Sequence, residues 1–297
     1  MRPPGGRDTV FKDTRAAALF ILPAFVALCL FKLGPMFVSL HESFSFAGIS
    51  GKRSFVGLEN YQYLFVDDPV FWGSIKVTIL FSVLANPLMV LLSLLYALLL
   101  NVKHRFVSFF RTLYFLPAAV SYSVVAVIFG VVFDPYYGLA NSMLHLLGFK
   151  AQPFFTSPAQ ALPCIIFLCL WHSAGYWMMF FLAGLQGIPR EIYEAADIDG
   201  VSGTQRVFRI TLPLLMRTIS FVLVSNTAFN LLTFAPVYII TRGGPRGATN
   251  LLMYESFKSA FVNLDMGRAT AISSILLLVV LLISAVELRL TRASFEY

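Results

Sequence analysis

The chain has 297 residues, of which 58% are hydrophobic and only 12% charged, with a mean hydropathy of +0.78. A water-soluble domain of that composition would expose large apolar patches, so the chain reads as a polytopic membrane protein. The net charge of +7 does not indicate nucleic acid, because the cations sit at the edges of apolar runs rather than on one helix or patch.

A spanning helix needs about 20 mainly apolar residues, and six stretches qualify: about 16 to 40, 75 to 101, 112 to 133, 161 to 186, 214 to 240 and 269 to 288. Arg2, Arg7, Lys12 and Arg15 precede the first run, which outlasts the apolar part of a signal peptide and lacks a small-x-small cleavage site. It is expected to be a retained anchor. Residues 41 to 74, with Gly48, Gly51 and Phe55-Val56-Gly57-Leu58-Glu59-Asn60-Tyr61, form an outer loop whose aromatics suggest an interfacial helix. Lys103, Arg105 and Arg111 mark the link from Asn101 to Arg111 as a cytoplasmic turn. Asp134, Pro135, Gly138, Gly148, Pro153 and Pro158 disfavour one continuous helix across 134 to 160, an external loop. Thr241 to Gly247, rich in Gly and Pro, is expected to turn sharply as a rigid outer lip.

Counted near the span ends, about thirteen Lys and Arg lie on the side of the N-terminus against seven on the other, which places both termini in the cytoplasm. The expected fold is all-α: one six-span domain over 16–290, with cytoplasmic tails 1–15 and 291–297. Pro23, Pro35, Pro87, Pro117 and Pro236 lie within or at the ends of spans, either as simple kinks or as breaks around a pathway. Cys29, Cys164 and Cys169 fall inside spans without metal-ligand or disulfide spacing and read as packing residues.

Between the fourth and fifth runs lies a polar loop, 189–212, which is expected to fold as two short helices. Pro189 suits a first helical turn, and the first helix should run to about Asp199, with Ile188, Ile192, Ala195 and Ala196 on one face. Glu191 and Glu194 complement the positive end of its dipole. Gly200 fits a left-handed helix stop, and Ser202 with Gln205 has the spacing of a capping box opening the second helix. Val207, Phe208 and Ile210 supply apolar contacts there, while Arg206 and Arg209 supply charge.

Glu194-Ala195-Ala196, three residues, Gly200, nine residues, Ile210, one residue and Leu212-Pro213 resemble the motif carried by membrane subunits of binding-protein-dependent ABC importers. The likeness extends over most of 17 to 290. Phe55 to Tyr61, Phe234 to Pro245 and Met266-Gly267-Arg268-Ala269 are similar to segments of its carbohydrate-uptake branch, which handles oligosaccharides, polyols and glycerol phosphates. Val201 and Arg217 depart from the usual pattern.

The resemblance implies an importer-type ABC permease fold in the bacterial inner membrane, surrounded by lipid. It also implies a second homologous permease, two copies of a separate ABC ATPase that holds ATP and Mg, and an extracytoplasmic solute-binding protein. Glu194, Ala195, Ala196, Asp199, Gly200, Arg206 and Phe208 are then the residues expected to couple to the ATPase, with Glu194 making polar contact and Gly200 making the turn.

The chain has no Gly-x4-Gly-Lys-Ser/Thr for nucleotide phosphates and no His-Glu-x-x-His for a metal, so it is expected to be no enzyme and to bind no cofactor. His172 and Tyr176 in the fourth run, and Asn226, Thr227, Asn230 and Phe234 in the fifth, are candidate pathway residues. Amides and aromatic rings suit sugar hydroxyls and ring faces, and interhelical hydrogen bonding is the alternative role. Glu287, beside Arg289, is expected near the membrane interface. The rival function is an ion-coupled secondary transporter or channel, which should carry coupling or gating groups within its spans. A membrane-embedded enzyme lacks any convergent catalytic set.

Overall fold

The computed structural model describes residues 18–47, 53–102 and 104–291. The expected tail 1–15, the positions Gly48, Gly51 and Lys103, and the chain from Arg292 onward lie outside the described residues. Helix α1 (Ala18–Glu42) has no buried residue. It widens into a π-helical turn at Cys29–Leu33, just ahead of Gly34-Pro35. Pro35 has no N–H to give the carbonyl of Phe31, and the wider turn absorbs that loss.

The described residues are mostly helical, as expected, with one short addition: two strands, β1 (Ser45–Ala47) and β2 (Arg53–Phe55), pair antiparallel with Ser45 opposite Phe55. Within the expected outer loop 41 to 74, Phe55 ends a strand, and α2 (Glu59–Val66), rich in aromatics, begins four residues on. Asn60 Nδ2 donates to the carbonyls of Ser43 at 2.9 Å and Ser45 at 3.0 Å, fixing hairpin to helix.

Helix α3 (Pro69–Leu100) starts before the apolar run does, because Asp68 accepts from the amides of Val70 and Phe71 at 2.9 and 3.1 Å and Pro69 needs no partner in the first turn. Its 32 residues reach about 48 Å, against a hydrocarbon core of about 30 Å. The excess lets its first turns stand clear of the apolar layer.

The third run is broken. Helix α4 (Val107–Phe115) tightens into a 3₁₀ turn at Leu116–Ala119, Val120 is extended, and α5 (Tyr122–Val132) leaves at 94° to the preceding segment. After α6 (Leu139–Leu146), α7 (Ala161–Gln186) is continuous, as expected. Then follow α8 (Arg190–Ile198) and α9 (Gly203–Leu214).

The fifth run, expected as one helix over 214 to 240, is interrupted twice. A 68° bend at Leu215 separates α9 from α10 (Met216–Leu231), and helical turns resume as a π segment at Val237–Thr241. Pro213 and Pro236 stand beside these breaks, each removing one backbone donor. The chain ends its described course with α11 (Leu252–Phe261) and α12 (Met266–Leu290).

Among the described residues, four helices are long and apolar enough to cross a membrane, and six spans result if each bent pair counts as one. One core cluster joins α3, α7 and α10 through Met89, Leu94, Trp177, Phe181, Leu215 and Val222. A second, with Phe81, Ile165, Val237, Leu251 and Tyr254, holds the opposite end of the bundle. A third packs Leu64 and Phe71 against Ile272 and Leu276 of α12. Large apolar side chains such as Val83, Leu91, Leu99 and Leu282 point outward, as a lipid-facing surface requires.

Candidate functional site: a cavity at two broken spans and a helical knob

Two of the breaks, at Val120 and after Leu231, border one cavity together with α7. His172 lies one helical turn ahead of Tyr176 on α7, and its Nε2 sits 3.1 Å from the carbonyl oxygen of Val120, the residue at which the third run opens. Its Nδ1 lies 3.0 Å from Ser173 Oγ, and Tyr122 packs edge-on to the ring at 4.2 Å. An interrupted membrane helix must have its freed carbonyls satisfied by neighbouring side chains, and His172 does this for Val120.

Beside this brace opens a cavity of about 460 Å³, a size typical of small-molecule sites. Of the six candidate pathway residues, His172, Tyr176, Asn226, Asn230 and Phe234 line it. Thr227 does not. The lining also includes Phe229, next to Asn230 in sequence, and Tyr122 and Trp177, which the sequence did not single out. Trp177 and Phe229 meet at 6.0 Å between ring centres, and Phe234 stacks on Tyr238 at 5.1 Å. No Asp, Glu, Lys or Arg is among the described residues that line it. Neutral amides with aromatic faces are what a hydroxyl-bearing ring needs, since the amides bond hydroxyls and the rings cover the C–H face.

The amides also serve the alternative role. Asn86 of α3 is the hub: its Oδ1 accepts from Asn230 at 2.8 Å and Asn226 at 3.0 Å, and its Nδ2 donates to Thr227 at 2.7 Å and Ser82 at 2.8 Å. Thr227 in turn donates a hydrogen bond to Glu287 Oε1 at 2.7 Å. Glu287, three residues from the end of α12, therefore points into the bundle, and its Oε2 has no partner among the described residues. Asn86 was missed because a single amide inside an apolar run carries no periodic signal. An Asn86→Ala variant is expected to lose about 1–3 kcal/mol of stability by stranding buried amides, read as a lowered unfolding temperature in detergent. Ser93→Ala, which removes only bonds to carbonyls of its own helix, should change it little.

At the far end of α7 stands the knob. Pro189 is the residue before α8 rather than its first turn, with extended backbone. The helix closes with two bonds, from Gly200 N–H to Asp197 O at 3.2 Å and from Val201 N–H to Ala196 O at 3.0 Å. That pair requires a left-handed residue between them, and Gly200 supplies it at φ +68°. Ser202 and Gln205 make the expected capping box.

Arg206 forms an ion pair with Asp197, tying the second helix to the first, and Tyr193 OH lies 3.2 Å from Thr211 Oγ1. Arg206 thus braces the knob from within. Ala196 is buried, whereas Glu194, Ala195, Asp199 and Gly200 are exposed. Two apolar side chains stand out from it, Phe208 at 66% and Ile198 at 87% exposure. Ile198 was not singled out in the sequence, since its exposure follows only from the direction in which the helix packs.

The knob's two roots are anchored together. Ile188 before it and Leu212 at its end both pack on the cluster containing Leu185 and Leu215, and that cluster continues to Trp177 in the cavity wall.

Residues 89–293 match the family model described as "Binding-protein-dependent transport system inner membrane component". A probable ABC transporter permease protein of Pyrococcus horikoshii is 36% identical over 89% of this chain and 91% of its own. The sn-glycerol-3-phosphate transport system permease protein of Agrobacterium fabrum is 32% identical over 98% and 99%. The crystal structure of a bacterial alginate ABC transporter, in complex with an alginate pentasaccharide-bound periplasmic protein, contains a chain that superposes with a TM-score of 0.83. That match covers 97% of this chain and 99% of that one at 23% identity, and so speaks for the fold alone. The chain accordingly belongs to the binding-protein-dependent transport system inner-membrane components, the permease subunits of ABC transporters.

Proposed function

We propose that the chain is one permease of a pair in an ATP-driven importer, and that it passes a sugar or sugar-like solute inward by alternating access. The bent pair of α4 and α5 crosses the membrane once, and α10 with the turns that follow it crosses once, giving six spans with both termini in the cytoplasm. The knob then faces the cytoplasm, where two copies of an ABC ATPase bind ATP and Mg and grasp it at Glu194, Ala195, Asp199, Gly200 and Phe208. A homologous permease completes the pathway, and the solute-binding protein delivers cargo from outside.

The observation that carries this reading is one packed cluster running from the cavity wall at Trp177 to the roots of the knob at Ile188 and Leu212. Packed interiors move as units rather than deforming, so a shift of the knob must displace a cavity wall. Nucleotide shifts access only by its differential affinity for the two states. The neutral, aromatic cavity and the glycerol-phosphate permease among the relatives support a sugar-like cargo.

The rival, an ion-coupled carrier, would place its titrating group against the cargo. Glu287, a half-buried carboxylate in the spans, lies outside the cavity lining. Depleting ATP while the ion gradient is maintained should stop uptake by cells carrying the transporter. Uptake that persists until the gradient is collapsed would replace this reading with the rival.

A further inference from the structure

A second cleft, of about 710 Å³, lies at the other end of the bundle, between the first turns of α3 and the Arg242–Asn250 lip. Lys76, Arg242, Arg246 and Lys258 line it, and no Asp or Glu is among its described lining residues. Lys258 is paired with Glu255 at 2.7 Å, while the other three cations make no ion pair with any described carboxylate.

The backbone that carries two of the cations has a defined shape. Arg242 and Arg246 occupy left-handed conformations at φ +50° and +52°, which are unfavourable for a residue with a side chain, although glycine stands beside each of them. Thr249 Oγ1 bonds Thr241 Oγ1 and the Gly244 carbonyl, both at 2.7 Å. Asn250 Nδ2 donates to Ser74 Oγ of α3 at 2.8 Å, and Leu252 N–H to Thr78 Oγ1 at 2.9 Å. Lip and helix are therefore cross-tied, so the backbone positions that carry the charges need no further ordering.

A polar atom accompanies them. Asn250 lines the cleft and is only 6% exposed, and its Oδ1 has no donor among the described residues. That oxygen lies against the lip: a Cβ placed on Gly243 would stand 3.0 Å from it. Guanidinium groups bind oxyanions through paired, charge-assisted hydrogen bonds.

We propose that this cleft binds a small oxyanion, such as a sugar acid or a phosphate, with its acidic group on Arg242, Arg246 and Lys76. It is separate from the neutral cavity at His172 and Asn230. Its place on the side where solute arrives rests on the topology proposed above, whereas the binding itself does not.

The test is calorimetric titration of the full chain, with the subunits that co-purify, in lipid nanodiscs, using D-glucuronate, inorganic phosphate and D-glucose. Both anions should bind and weaken as salt rises. The Arg242→Asn/Arg246→Asn double variant, chosen because asparagine tolerates left-handed backbone, should weaken them at least tenfold. Lys76→Gln, on a different element, should shift them in the same direction, with unfolding temperatures of both variants unchanged and any glucose binding unaffected. Absence of anion binding overturns the proposal, as does equal binding by wild type and double variant, which would mean an adventitious ion only. It is also overturned if neither small anion binds but the double variant loses docking of the solute-binding protein, since the occupant would then be a protein carboxylate. Because these readouts need no transport, failure here is distinguishable from failure of the importer reading.

Discussion

A Gly200→Val variant is expected to reach the membrane in normal amount and to transport at less than a tenth of the wild-type rate. At φ +68° a β-branched side chain meets its own backbone, and relief of that strain must open the two bonds that close α8, from Gly200 to Asp197 and from Val201 to Ala196. Space is not the obstacle, because a Cβ there would meet nothing within 4 Å. The loss is therefore one of shape at the end of the knob, not of packing within the spans. Glu194→Lys should give the same phenotype by another route, reversing charge on an exposed helix face while leaving the knob folded. Co-purification of the ATPase and ATP-dependent uptake, compared at equal membrane abundance, read both. Normal uptake by either variant would remove the coupling role.

Gly175→Ala should be more damaging to the protein itself. A Cβ at that position would lie 1.8 Å from the carbonyl oxygen of Tyr114 and 2.5 Å from its carbonyl carbon, so only backbone can give way. Glycine here is what allows α7 to touch the end of α4 just before the third run breaks. Overpacking of this kind typically costs about 1–3 kcal/mol, and more where backbone must move. It would also pull His172, one turn earlier, off the Val120 carbonyl. The expected result is a clear drop in folded yield and unfolding temperature, with Gly73→Ala as the control. That glycine is also helical, has nothing within 4 Å of its would-be Cβ, and should tolerate alanine or gain slightly. Equal behaviour of the two variants would show that α7 and α4 do not approach as described.

These contrasts show what the sequence could reveal. Helical periodicity, the Gly200 stop and the Ser202–Gln205 box are local events, each decided within four residues, and the knob was legible for that reason. Five of the six pathway residues converge on one cavity because polar side chains in apolar runs have few acceptable directions, namely inward and toward each other. What hydropathy could not show is where an apolar run stops being a helix. Leu215, Val120 and the stretch after Leu231 are as apolar as their neighbours, and their breaks depend on proline and on partners far along the chain, such as His172. The Asn86 hub and the exposed Ile198 are likewise products of packing. The cap at Asp68 was readable, but a count of apolar residues starts α3 too late and hides Lys76 in its early turns.

The uncharged lining of the cavity has an electrical consequence. When access alternates around groups that carry no formal charge, the protein moves no gating charge through the field, so voltage does no work on the rearrangement of these walls. An anionic passenger differs, because drawing each negative charge toward a negative interior requires about 2.3 kcal/mol per 100 mV. Hydrolysis of ATP must supply that energy, and the rate for such a passenger should slow as the membrane is hyperpolarised, whereas a neutral one should pass at the same speed.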